Sequence, residues 1–138
     1  MAKKRMFSKD IVQSDVFLSM PTSSQLLYFQ LGMNADDDGF VANAKAIMRM
    51  IGCQEDDLKL LVMKNFLIAF NDGVFVIKHW RLNNNLLPAS HYKETEYIED
   101  KAKLFLKPNK SYSIDKSKGI PLKPMKFESD NSDDNELF

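Results

Sequence analysis

A chain of 138 residues accommodates one compact domain of ~100 to 150 residues with some sequence to spare, and 44% apolar residues, ten of them Phe, supply a real core. The single cysteine, Cys53, excludes an internal disulfide, and no stretch reaches the ~18 uninterrupted apolar residues of a membrane-spanning helix. No leader pattern is found at the N-terminus, so a cytoplasmic location and no membrane partner are expected.

The 19 basic and 19 acidic side chains cancel, which lends no support to a polyanionic partner. Their distribution is polarised. Residues 1 to 10 carry Lys3, Lys4, Arg5 and Lys9 against Asp10, residues 101 to 126 carry eight lysines against Asp115, and residues 128 to 138 carry five carboxylates and no cation.

In chain order, Ser8 is placed to cap a short helix to about Ser19, with Ile11, Val12 and Val16 as a partial apolar stripe. Pro21-Thr22-Ser23-Ser24 restarts the pattern. A hydroxyl from this run is expected to accept the free N–H groups of a new first turn, and Leu26, Leu27, Tyr28, Phe29 and Leu31 bury the helix that follows to about Met33. Turn formers and like charges concentrate in Asn34-Ala35-Asp36-Asp37-Asp38-Gly39, which reads as a surface loop, and Phe40-Val41 as a very short strand. The alternating ligands and closing Glu of a calcium loop are missing there.

Ala44, Ile47, Met48 and Ile51 recur at helical spacing between an Asn43 cap and Gly52, a residue suited to a left-handed helix end. After a brief turn, Glu55-Asp56-Asp57 favour the start of a third helix whose buried face is Leu58, Leu61, Val62 and Phe66. Asp72-Gly73 then separates two β-prone runs, Phe66 to Phe70 and Val74 to Ile77, predicting a hairpin closed by a two-residue turn. Beyond Trp80 the pattern weakens. Asn83-Asn84-Asn85 and Pro88 read as loop, Tyr92 to Leu106 as either a helix or a short strand pair, and the sequence from about Ser113 onward as disordered.

Helix, short strand, short helix, tight turn, helix and hairpin is the order of a winged helix-turn-helix, an α+β fold of three helices plus a β-hairpin wing. Residues 1–106 are expected to form this domain with a short C-terminal extension, and residues 107–138 a flexible tail, a basic linker followed by an acidic end. Asp38-Gly39-Phe40-Val41, Ile51-Gly52, Asp56-Asp57-Leu58, Phe66-Leu67, Tyr92-Lys93-Glu94-Thr95 and above all Asp72 to Asn84 resemble the N-terminal domain of phage replisome organiser (replication initiation) proteins. The resemblance spans about residues 5 to 105. It implies binding to the double-stranded DNA of a replication origin, recruitment of host helicase-loading machinery, and a host-cell cytoplasm as location.

The candidate DNA contacts are Lys4 and Arg5 in the basic N-terminus, Lys59, Lys64 and Asn65 off the apolar stripe of the third helix, Lys78, His79 and Arg81 around Trp80, and Asn83 and Asn84. Trp80 reads first as core packing that closes the hairpin over the helices. Glu55, Asp56 and Asp57 oppose ordinary major-groove docking, since three carboxylates at the leading end of a recognition helix repel phosphates.

His79 and His91 have no partners at zinc-ligand spacing, and no phosphate loop, nucleophile elbow or metalloprotease motif is present. The expectation is a binding protein without cofactor, metal or catalytic residues. Asp133, Asp134, Glu136, Leu137 and Phe138 resemble the acidic, apolar-ended tip of bacterial single-stranded-DNA-binding proteins, which implies docking onto host replication proteins. The alternatives to an initiator are a winged-helix protein adaptor and a transcriptional repressor. A homodimer is compatible with each.

Overall fold

The structure, a computed structural model, describes residues 3–84 and 91–122. Those residues form a mixed α+β fold of seven α-helices and two small antiparallel sheets of three strands each. None of these helices is long and apolar enough to cross a membrane.

The expected first helix is two single turns, α1 (Lys9–Val12) and α2 (Asp15–Leu18). Ser8 Oγ accepts from Asp10 N at 3.3 Å, but Ser14 then caps a fresh turn by accepting from Phe17 N at 3.2 Å. The second cap breaks the run because a side-chain oxygen at Ser14 competes for the amides a continuous helix would use. α3 (Thr22–Asn34) starts at Pro21 without a side-chain cap. The hydroxyls expected there, Ser23 and Ser24, turn instead toward Asp57, at 2.6 and 3.3 Å.

β1 (Phe40–Val41) and α4 (Ala44–Ile51) follow as expected, with Gly52 left-handed at φ +76°, although Asn43 makes no side-chain cap bond. α5 (Glu55–Met63) is buried through Leu58 and Leu61. It ends in a Schellman motif: Asn65 N donates to Val62 O and Phe66 N to Leu61 O, with Asn65 at φ +66°. Phe66 is therefore buried beyond the helix rather than on it.

β2 (Leu67–Ala69) and β3 (Phe75–Ile77) form the hairpin, in register Leu67 with Ile77 and Ala69 with Phe75. Phe70 N donates to Val74 O at 2.9 Å, so three residues rather than two close the turn, and of them only Gly73 has positive φ. A three-residue loop of this kind needs one left-handed position, whereas the expected two-residue turn needs Asp72 there as well. β3 also pairs with β1, which makes it the central strand of the first sheet.

α6 (Trp80–Asn83) carries Trp80 into the core. Gly39 makes room for it: a Cβ at that position would lie 2.6 Å from the indole Cγ, and φ is +92°.

The segment left open between Tyr92 and Leu106 is one helical turn, α7 (Ile98–Lys101), followed by strand β4 (Phe105–Leu106). β5 (Tyr112–Ser113) and β6 (Ile120–Pro121) flank β4 in the second sheet, and Lys116–Lys118 form a 3-10 turn between them. The expected boundary at residue 106 falls inside this sheet, and the expected disorder after Ser113 gives way to ordered chain through Leu122. Burial supplies the reason. Tyr112, in the expected tail, belongs to the same apolar core as Leu27, Leu61, Val76 and Trp80, Leu122 packs against that core, and β6 pairs with β4; a fully buried side chain of that size contributes about 1.5–3 kcal/mol. Tyr112 also donates from N to Lys78 O and from its hydroxyl to Asp38 O, both at 2.8 Å.

Candidate nucleic-acid interface

The exposed side of α5 is the first surface to consider. Glu55, Asp56, Lys59 and Met63 are exposed along it, with Lys64 and Asn65 exposed at its end. The third carboxylate of its first turn is absent from that side. Asp57 faces α3, where it accepts from Ser23 Oγ and, on its own turn, from Gln54 N at 2.8 Å. The Ser23 hydrogen bond, with those from Gln54 N and Ser24, outweighs desolvation and holds the Asp57 carboxyl below the usual carboxylate range. The expected electrostatic objection to the helix therefore shrinks to Glu55 and Asp56.

Most of the other expected contacts are turned inward. Arg5 lies in a buried ion pair with Asp37 at 3.0 Å, its side chain 3% exposed, donates to Ala35 O, and places its guanidinium 5.0 Å from the Trp80 ring centroid. His79 is buried with its ring 6.2 Å from that of Phe66. Arg81 is buried against Tyr112, its guanidinium 5.8 Å from the ring centroid.

Asn83 and Asn84 are buried staples. Asn83 accepts from Ser8 N and donates to the Tyr28 hydroxyl, and Asn84 accepts from Met6 N and donates to Met6 O. These five side chains are buried rather than presented at the surface. The physical reason is common to all: the chain after β3 turns into α6 and packs back under the N-terminal segment, so the cluster around Trp80 closes the core. Lys4 remains exposed and Lys78 half-buried. Residues 133–138, the expected partner-binding tip, lie outside the described residues, as do Asn85 and Pro88.

The loop read as surface is heavily bonded and largely buried. Asp37 and Asp38 are fully buried and Asp36 half-buried. Asp36 accepts from Phe40 N, Asp38 N and the Thr95 hydroxyl. Asp37 takes Arg5 on one oxygen and Lys93 N on the other, while its carbonyl accepts from Trp80 Nε1 at 2.9 Å. Asp38 accepts from the Tyr92 hydroxyl at 2.7 Å, Thr95 N at 2.8 Å and Lys101 Nζ at 3.4 Å. Burial pushes the Asp36 carboxyl up, against the hydrogen bonds from Thr95, Phe40 and Asp38 that pull it down. Burial likewise raises the Tyr92 and Tyr112 hydroxyls, so both stay protonated as donors at neutral pH.

Three adjacent carboxylates thus gather the N-terminus, α6 and the 92–101 segment around one turn. The linear pattern gave no reason to bring Tyr92, Thr95 and Lys101 near these acids.

Beside this hub lies a cleft of about 310 Å³, lined by Asn34, Asp36, Phe40, Asn43, Glu96 and Tyr97 among others. Phe40 and Tyr97 stack in its wall at 6.2 Å. Its acidic lining makes it unfit for phosphate.

No family model, curated protein or solved structure matches the chain.

Proposed function

We propose that the chain is a DNA-binding protein of phage or mobile-element replication initiation, in which α3, α4, α5 and the β2–β3 hairpin act as a winged helix-turn-helix. In this reading α5 enters the major groove of double-stranded origin DNA and the hairpin reaches the neighbouring backbone. The supporting observation is the exposed side of α5: Lys59, Lys64 and Asn65 stand free of the core immediately before the hairpin, and Asp57 is withdrawn toward α3. The N-terminal contribution reduces to the exposed lysines, because Arg5 is committed to Asp37.

The test is selection of bound duplexes from a random pool, with wild type and with Lys59→Ala, Lys64→Ala and Asn65→Gly combined. The reading requires a recovered motif that the triple variant loses. No enrichment by wild type refutes it.

A second reading, a winged-helix adaptor that binds a host replication protein, draws on one observation. Met63 on that same side of α5 is 74% exposed, and Met50 at the end of α4 is 81% exposed. Flexible exposed methionines suit adaptable protein contacts better than phosphates. Wild type that shows no salt-dependent DNA retention favours this reading.

A further inference from the structure

The second sheet brings together lysines that the linear sequence scatters along an apparent linker. Lys107 N donates to Ser111 O and Lys110 N to Lys107 O, both at 2.9 Å, which closes the turn from β4 to β5. Asn109, buried, fixes that turn by accepting from Ser111 N and Ser111 Oγ. The chain then crosses from one edge of β4 to the other through the Lys116–Lys118 turn, because β5 and β6 lie on opposite sides of β4.

Gly119 seats this crossing. A Cβ there would lie 2.5 Å from Leu106 O and 3.1 Å from Lys107 N, so only a glycine lets Lys118 arrive beside the start of the Lys107 turn. Lys116 and Lys118 are exposed and Lys107 and Lys110 partly so. The one carboxylate in these turns, Asp115, is bound by Ser117 N and Ser117 Oγ at 2.9 and 2.7 Å.

Lys110 occupies the left-handed position of its turn. It stands at φ +70°, a conformation that Asn or Gly adopts at lower cost. The tight turn from β4 to β5 needs a left-handed residue there, and the chain places a lysine at it, partly exposed, where Asn or Gly would fit with less strain.

We propose that Lys107, Lys110, Lys116 and Lys118 form a folded phosphate-contact surface that holds the sugar-phosphate backbone of nucleic acid, independently of sequence. This rests on the DNA-binding reading above and extends it from α5 to the second sheet. The surface grips the backbone and α5 discriminates the bases, a division of labour common to DNA-binding proteins.

The test is the salt dependence of binding of the full chain to a short duplex of arbitrary sequence. Each phosphate contact contributes about 0.9 to the slope of log K against log salt. Changing all four lysines to Gln is expected to reduce the slope by about 3 to 4. The single variant Lys110→Asn relieves the backbone, so a slope smaller by about 1 together with a Tm at or above wild type separates lost contact from lost folding.

An unchanged slope in the quadruple variant, with the slope still falling in Lys59→Gln/Lys64→Gln, overturns this proposal and leaves the α5 reading standing. Wild type without salt-dependent binding overturns the α5 reading and this one with it. A quadruple variant that binds like wild type, while a chain ending at residue 127 binds more tightly, assigns the lysines to the chain's own acidic residues and also overturns it.

Discussion

Arg5 illustrates how little a charge reveals about its role until its surroundings are known. In sequence it belongs to a basic start with Lys3, Lys4 and Lys9, yet in the fold it is the buried counter-ion of Asp37 and a cover for Trp80. Removing one member of a buried pair strands the other charge. Arg5→Ala is accordingly expected to lose about 3–5 kcal/mol in chemical denaturation, whereas Lys4→Ala, at an exposed position, should change stability by under about 0.5 kcal/mol.

Asp57 gives a pH-dependent counterpart. Its folded pKa is depressed, so its contribution is present above the unfolded value of about 3.9 and lost as pH falls through the folded value. Asp57→Asn should cost about 1–3 kcal/mol at pH 7, and the gap from wild type should narrow as the pH drops below about 4. Asp36 works in the opposite sense, because burial raises its carboxyl and protonation favours the folded form. The difference between the two proteins at each pH, rather than either curve alone, isolates Asp57.

At the scale of elements, the parts that periodicity and turn chemistry determine were legible. α4 with its Gly52 ending, α5 with Leu58 and Leu61 inward, and the β2–β3 hairpin all follow local rules. The details that were not legible depend on partners distant in sequence. Ser23 and Ser24 abandon the expected cap for Asp57, 33 or 34 residues away, and Ser14 splits one expected helix into two.

The end of α5 supplies a test that separates structure from recognition. Asn65 is the left-handed residue of the Schellman motif and also an exposed side chain. Asn65→Gly should hold Tm near wild type while weakening DNA binding, and Asn65→Ala should cost about 1–2 kcal/mol in addition, from the positive φ. Equal losses of stability in both, with DNA binding unchanged in Asn65→Gly, would show that the side chain matters to the fold and not to the ligand.

The whole molecule shows where sequence reading reached its limit. A Lys-, Ser- and Pro-rich segment looked too polar to fold. Its few apolar residues, Tyr112 and Leu122 in particular, pack onto a core that already exists, and Tyr112 donates hydrogen bonds to Lys78 O and Asp38 O. Local composition carries no record of that help. A chain ending at residue 106 is therefore expected to unfold at a markedly lower temperature than the full chain. It forfeits Tyr112, a loss of about 3–5 kcal/mol for a buried aromatic, from a total that for a domain this size is about 5–15 kcal/mol.

The same whole-molecule view divides the surface by charge. The exposed side of α5 and the lysine turns of the second sheet face an anion on this account, and the acidic cleft beside Asp36 does not. Backbone amide shifts of the full chain during titration with a short duplex test that division most directly. The account predicts salt-sensitive shifts confined to Lys59–Asn65, the hairpin and Lys107–Lys118, with Asn34–Asn43 and Lys93–Tyr97 unmoved. Shifts centred on the cleft with α5 silent, or no shifts at all, would contradict it.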